Sequence, residues 1–281
     1  MSMIKLVKFI RRILCKLLGL KHEYIPIYQP VLDKSLLANK IVFITGGTGG
    51  IGRVIAQKAI EAGAKVIVAG TNEQKLKKLV LEFGDNIRAI RMDLSVYDDI
   101  VEKISEAVSA FPEKRIDILV NSAGLHGDWS FQRLSEKEFD KVIDVNIKGT
   151  YFITNFIAHH MIDNHIKGHI LNVSSSSALR PAWTPYQISK WAIDGMTKGF
   201  ADLLLKDGII VNGIAPGPTA TDMVNMGDTF NIYYDAQPSH RYAVPEEIAN
   251  LAIYLISPLA DFIVGDTIYI TGGSGTISYH K

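Results

Sequence analysis

Tyr186 and Lys190 stand four residues apart in Tyr186-Gln187-Ile188-Ser189-Lys190, at the start of a long apolar stretch with helical spacing. On a helix their side chains share one face. A free phenol has a pKa of about 10, too high for base work at neutral pH. A nearby ammonium stabilises the phenolate and lowers that value, which is the tuning that acid–base catalysis needs. The spacing alone is common on helix surfaces, so its weight comes from its company. Ser174-Ser175-Ser176-Ser177 follows an apolar run and precedes Tyr186 by a short loop. A serine run is ordinarily a polar loop, but a hydroxyl there could hydrogen-bond a substrate oxygen as charge develops on it. Asn146 lies in the apolar segment VNIKGTY, where asparagine often holds a buried water or a carbonyl. These groups together suit proton exchange with an alcohol or carbonyl oxygen.

Far upstream, residues 45–52 read TGGTGGIG, with Gly46, Thr48, Gly50, Ile51 and Gly52 as the candidate contacts. Glycines there let the backbone turn sharply and let a pyrophosphate approach. A helix beginning at the loop offers free N–H groups and a positive dipole end to phosphates. The loop therefore reads as a dinucleotide cradle, against the plainer reading of a tight turn. The next apolar run ends in Ala69-Gly70-Thr71-Asn72. An acid there would hold an unphosphorylated ribose 2′-OH; none is present, and neither is Arg or Lys. Arg53 and Thr71 could help hold a 2′-phosphate, so NADP(H) is expected over NAD(H). Asp93 and Leu94 follow the third run, where Asp93 could accept from an adenine amino group. Asn121, Ser122, Ala123 and Gly124 follow the fourth and let the backbone pass close to the cofactor. Taken singly, both are as compatible with ordinary turn chemistry.

Such residues work only if a scaffold gathers them. From Asn39 on, apolar runs at 40–45, 64–70, 86–92, 115–120, 168–173, 208–214 and 266–271 alternate with helical patterns near 50–62, 72–83, 98–110, 135–162, 184–206 and 245–256. That alternation predicts an α/β fold: one Rossmann-like doubly wound domain, a seven-stranded parallel sheet with helices on both faces. Ligands of such sheets bind at the carboxyl ends of the strands, and the candidate residues stand there. The expected organisation is a head and linker over 1–38 and an oxidoreductase domain over 39–281.

The combined motifs resemble the short-chain dehydrogenase/reductase family over about 39–275. TGGTGGIG is similar to its cofactor loop, NSAG to its NNAG turn, and YQISK to its YxxxK. VNGIAPGPTATDM (211–223) looks like its VNxIxPGxxxT segment, RYAVPEEIA like its RxxxPEEIA helix start, and GDTIYITGG like its last strand. The resemblance implies Tyr186 as catalytic acid/base, with Lys190 lowering its pKa and holding the nicotinamide ribose. It implies Ser175 orienting the substrate oxygen and Asn146 anchoring the water of a proton relay. Pro216, Gly217, Thr219 and Thr221 would hold the nicotinamide end. It further implies a nicotinamide cofactor, no metal, and a homodimer or homotetramer. Two departures stand out. The serine-to-tyrosine stretch is about two residues short of the family's usual spacing, which leaves Ser174 and Ser176 as alternatives to Ser175. The glycine loop also fits TGxxGxxG of the extended epimerase branch, although chain length and VNGIAPG favour the short oxidoreductase branch.

The expected activity is therefore NAD(P)-dependent hydride transfer to or from a small alcohol or carbonyl substrate. An epimerase or dehydratase with retained cofactor, and a non-catalytic cofactor-binding scaffold at a membrane, are the alternatives. Residues 222–243 should cover the substrate as a lid, with Met223, Met226, Phe230, Tyr233, Tyr234, His240 and Arg241. His126, Trp129 and Trp183 should line the opposite wall.

Charge is unevenly spread. Residues 1–21 hold six basic side chains and no acid, leaving 24 basic against 29 acidic in the rest, a net −5. That acidic body gives no reason to expect nucleic-acid binding. Within residues 3–20, Lys5, Lys8, Arg12 and Lys16 fall inside roughly an 80° arc of a helical wheel. No apolar run approaches the roughly 20 residues that a spanning helix needs. The segment reads as a basic amphipathic helix for peripheral contact with an anionic membrane face, or for docking on the body or a partner. Cys15 is the sole cysteine, so no internal disulfide forms and the cytoplasm is the expected compartment.

Overall fold

The computed structural model describes residues 35–127, 130–221 and 232–277. The amphipathic segment 3–20, Trp129 and lid residues 222–231 lie outside them. Seven strands form one sheet: β1 (Ile41–Thr45), β2 (Lys65–Gly70), β3 (Ile87–Arg91), β4 (Ile118–Asn121), β5 (His169–Val173), β6 (Ile210–Pro216) and β7 (Thr267–Ile270). Their order is β3-β2-β1-β4-β5-β6-β7, and every pairing is parallel. This is the doubly wound sheet that the alternation predicts.

Every residue of β1 is buried because helices cover both sides. Val42 and Ile44 point into one core with Ile55, Leu76, Leu79, Ile248 and Ile253. Ile41 and Phe43, one residue out of phase, enter the other with Ile100, Ile153, Ile157 and Leu204. The period-2 pleat thus splits a continuous apolar run between two layers. Burying one such side chain contributes about 1.5–3 kcal/mol. The first core packs against α1 (Gly50–Glu61), α2 (Glu73–Phe83) and α7 (Pro245–Leu255). The second packs against α3 (Tyr97–Val108), α5 (Thr150–Asp163) and α6 (Pro185–Leu204). Leu37 is 1% exposed within the first core, and its N–H donates to Ala62 O at 2.9 Å.

The single helix expected over 135–162 is in fact two. Helix α4 (Glu136–Ile143) joins α5 through one wide π turn, Asp144–Gly149. Such turns insert extra backbone into a helix and recur at functional sites. This one contains Asn146. It presses so closely on the strand-following loop that a Cβ on Gly149 would lie 2.6 Å from Leu94 O.

The sheet reverses its winding between β1 and β4, whose ends sit side by side (Thr45 against Asn121). Crevices at such reversals, at the carboxyl ends of strands, are where doubly wound sheets take ligands.

Candidate active site

Gly46 turns with φ +67°, and a Cβ there would lie 2.6 Å from Ala123 Cα. A Cβ on Gly52 would meet Gly46 O at 2.5 Å. Packing therefore requires both glycines. Gly49 differs, because nothing lies within 4 Å of the space its Cβ would take. It is also the N-cap of α1, which has neither a side-chain cap nor an acid in its first turn. Open space before uncapped helix amides is what an approaching pyrophosphate requires. Gly50 faces Thr221, whose Cγ2 would be 3.3 Å from an added Cβ. Ile51 packs on the first core. Thr48 lies beneath Gly70, with its Cγ2 3.0 Å from a built Cβ.

Other predicted cofactor residues divide by what their side chains do. Thr71 is exposed at the end of β2. Asp93 Oδ1 accepts from Ser95 N at 3.0 Å and from Ser95 Oγ at 2.7 Å, so that oxygen shapes the turn. Leu94 is buried in the second core. Asn121 points inward, its Nδ2 donating to Thr154 Oγ1 (2.8 Å) and Asn172 Oδ1 (2.9 Å). Ala123 N donates to Thr45 Oγ1 at 3.3 Å, stitching the two loops together. Gly124 brings its backbone against both Asn146 and Lys190, each with a polar atom 3.7 Å from a built Cβ. Pro216 ends β6. Gly217 N donates to Ile270 O at 3.0 Å, and Thr219 Oγ1 donates to Gly217 O at 2.9 Å. Arg53 pairs with Glu82 at 2.5 Å and is about one-third exposed. Such a surface pair is worth at most about 1 kcal/mol, so an incoming phosphate could compete for the guanidinium.

The start of α6 is set by its own residues. Thr184 Oγ1 accepts from Gln187 N at 3.2 Å, and Gln187 Oε1 accepts from Thr184 N at 3.2 Å. This is a reciprocal capping box, with Pro185 in the first turn. It delivers Tyr186 in the first turn and Lys190 one turn later, with the ammonium 5.5 Å from the phenol ring centre.

The serines after β5 turn in different directions. A hydrogen bond joins Ser175 to the Tyr186 phenol, and Ser175 Oγ also accepts from Ser177 N at 3.1 Å. Ser174 turns away and donates to Lys190 O at 3.2 Å. Ser176 is buried in a 3-10 turn, 176–179.

Asn146 works as a clamp. Its Oδ1 accepts from Leu125 N at 2.7 Å. Its Nδ2 donates to Leu125 O at 2.9 Å and to Ser189 Oγ at 3.0 Å. Ser189 Oγ then donates to Tyr186 O at 2.7 Å. The side chain thus holds a carbonyl, one of the two partners that its setting suggested.

Electrostatics at the centre are dominated by burial. Burial pulls the Lys190 pKa down to about 8, against the opposing pull of the Asp194 carboxylate. Lys190 Nζ donates to Val173 O at 2.8 Å. Burial pushes the Tyr186 phenol above its ordinary value, partly offset by the Ser175 hydrogen bond. The lowering of the phenol pKa expected from Lys190 is not what this arrangement gives: burial raises it, and the opposing contribution comes from Ser175. The His126 ring lies 4.6 Å from the Tyr186 ring, tilted 45° to it. Its pKa is held down by burial and further by Lys190. His126 thus lies against the candidate proton donor, while Trp183 is 54% exposed on the loop before α6.

The described part of the expected lid, 232–243, is held by contacts of its own and with α7. Tyr234 stacks on Tyr242 at 4.5 Å. The guanidinium of Arg241 binds both oxygens of Glu247 at 2.7 Å, and Glu247 also accepts from Val244 N at 3.0 Å. Arg241 therefore fixes the start of α7. Asp194 and Tyr269 were not singled out in the sequence, yet Tyr269 Oη donates to Asp194 Oδ2 at 2.6 Å behind Lys190. The only available signal was that Asp194 continues the four-residue ladder from Tyr186 and Lys190.

Among the described residues, no group of three His, Cys, Asp or Glu side chains is placed to hold a metal. No helix among them is long and apolar enough to cross a membrane.

A family model described as short chain dehydrogenase matches residues 40–229. The 3-oxoacyl-[acyl-carrier-protein] reductase FabG of Aquifex aeolicus is 34% identical over 245 residues, covering 84% of this chain and 98% of that protein. An acetoacetyl-CoA reductase from an Acinetobacter strain is 35% identical over 243 residues, covering 83% of this chain and 97% of its own. Among solved structures, the 3-ketoacyl-(acyl-carrier-protein) reductase from Brucella melitensis, complexed with NADH, superposes with a TM-score of 0.78 at 29% identity. That match covers 86% of this chain and all of the other.

Proposed function

The chain belongs to the short-chain dehydrogenase family of oxidoreductases, and we propose that it reduces a ketone carbonyl with NADPH, on a 3-oxoacyl thioester or a ketone of similar shape. The observation that carries this reading is the array of Ser175, Tyr186 and Lys190 at the strand-end crevice. A nicotinamide dinucleotide bound there supplies the hydride. Ser175 holds the carbonyl oxygen by hydrogen bonding as negative charge grows on it. The Tyr186 phenol gives its proton to that oxygen and becomes a phenolate, which the Lys190 ammonium stabilises. The phenol is protonated before the reaction, the form that proton donation to a carbonyl oxygen needs. Asn146 holds the Leu125 loop and, through Ser189, the first turn of α6. The thioester class comes from the relatives' names.

The absence of an acid at 71–72 supports NADPH over NADH, with Thr71 and a recruited Arg53 beside the 2′-phosphate. Fluorescence titration with both nucleotides, followed by acetoacetyl-CoA as the first substrate, tests the reading. Tyr186→Phe should bind NADPH normally and lose turnover by about 10²–10⁴-fold. Retained turnover would remove the phenol from the mechanism.

The basic head supports a further part of the proposal. Residues 1–21 carry +6, and on a helical wheel drawn from the sequence the apolar residues of 3–20 would fill most of the arc left by the basic ones. We propose peripheral contact with an anionic membrane face on the cytoplasmic side, by a homodimer or homotetramer whose catalytic domain spans 39–281. Full-length protein should sediment with anionic vesicles at low salt, and a deletion of 1–21 should stay in the supernatant.

A further inference from the structure

We infer that Asp194, held in place by Tyr269, is a positioning residue that keeps the Lys190 ammonium charged inside the buried site. The inference rests on the proposed role of that ammonium beside the phenol.

Tyr186, Lys190 and Asp194 occupy successive turns along one face of α6, each four residues on. Lys190 is 6% exposed. Desolvation works against its charged form, and a neutral amine could not stabilise a phenolate. The groups around it come from several elements. The Val173 carbonyl accepts from its Nζ. Tyr186 stands on the same helix, with Ser175 bonded to the phenol from the loop after β5. His126 approaches from the loop after β4 and is itself disfavoured as a cation by Lys190. Of these neighbours, Asp194 supplies the negative charge that opposes desolvation of Lys190.

Asp194 is itself built into place. Tyr269, on β7, donates to its Oδ2 at 2.6 Å, a length typical of a hydroxyl bound to a carboxylate. Burial, then the Asp194 hydrogen bond, and then Asp266 push the Tyr269 pKa upward, so its hydroxyl remains a donor throughout the working pH range. Asp194 Oδ1 is buried with no hydrogen-bond partner among the described residues. A carboxylate oxygen left in that state is costly. The field of a nearby ammonium is the compensation available to it.

The test reads Lys190 directly. Protein carrying ¹³C-labelled lysine is titrated by NMR, and the Lys190 signal is assigned by its loss in Lys190→Met. A unit charge one helical turn away, at an effective dielectric of about 20, moves a neighbour's pKa by about two units. Asp194→Asn should therefore lower the Lys190 midpoint by about that much. Asp194→Glu should restore most of it, and Tyr269→Phe should give an intermediate shift. In the ketone-reduction pH profile the upper limb should move down by the same amount, with NADPH affinity little changed. An unmoved Lys190 midpoint in Asp194→Asn overturns the inference. Where that variant fails to fold, an unmoved midpoint in Tyr269→Phe does so. A shifted midpoint in a protein whose Tyr186→Phe form still turns over would instead reject the proposed reaction and leave the Asp194–Lys190 coupling standing.

Discussion

Asn146 Nδ2 lies 3.0 Å from Ser189 Oγ, and that hydrogen bond ties the wide turn between α4 and α5 to the helix that carries Tyr186. Three loops and helices meet at one amide: the segment after β4, the π turn and the first turns of α6. The phenol's position is therefore a tertiary property.

Replacing Asn146 by Ala removes the partners of Leu125 N and Leu125 O together. A buried backbone group left unsatisfied costs about 1–3 kcal/mol, and the half-buried Leu125 groups lie toward the lower end of that range. Chemical denaturation should show a loss of about 2–4 kcal/mol, and kcat should fall more than KM rises, because the phenol loses its register. An unchanged denaturation midpoint would contradict the clamp.

The glycine loop separates folding from binding. Gly49 has φ −152° and open space around it, so Gly49→Ala should fold with near-native stability and bind NADPH at least tenfold more weakly. Gly46→Ala places a Cβ 2.6 Å from Ala123 Cα at φ +67° and should lose stability as well. Thermal midpoints and nucleotide titrations on both variants check the contrast.

Lys190 should leave a signature in stability against pH. Its folded pKa, about 8, lies below the ordinary value of 10.5. Between those values the unfolded chain binds the extra proton, so stability rises with pH there. The cost of the buried ammonium is fully present below about pH 8 and gone above about 10.5. Lys190→Met should therefore gain stability relative to the parent at pH 7, and the difference should shrink by roughly 3 kcal/mol on going to pH 10.5. Denaturant midpoints of both proteins across that window measure it; a constant difference would count against a depressed lysine.

Arg241 should prove structural. Arg241→Ala breaks a bidentate pair with Glu247 at the start of α7. The expected effect is a loss of about 1–2 kcal/mol in denaturation, with KM for the ketone within twofold of the parent. A large KM effect would return Arg241 to the substrate lid.

Much of this was legible in the chain itself. The alternation of β-branched runs with helical periods led directly to a parallel doubly wound sheet, because only a sheet covered on both faces buries runs such as IVFIT entirely. The Gly46-to-Gly52 turn and the Tyr186–Lys190 spacing are local, so their chemistry could be read from neighbouring residues. The different directions of Ser174 and Ser175 could not. Both follow β5, and only the approach of α6 turns one hydroxyl to the phenol and the other to Lys190 O. The break in the helix expected over 135–162 was equally hidden, because helical periodicity continues through a π turn and the packing of Gly149 on Leu94 O is a contact between distant segments. Arg53 and Arg241 looked available for ligands because a sequence displays charge without its partner; Glu82 and Glu247 became their partners through folding. The sign of the Tyr186 shift was likewise tertiary. Spacing places an ammonium near the phenol, but the burial that opposes it comes from elements far apart in the chain, and desolvation is set by the packing of those elements together.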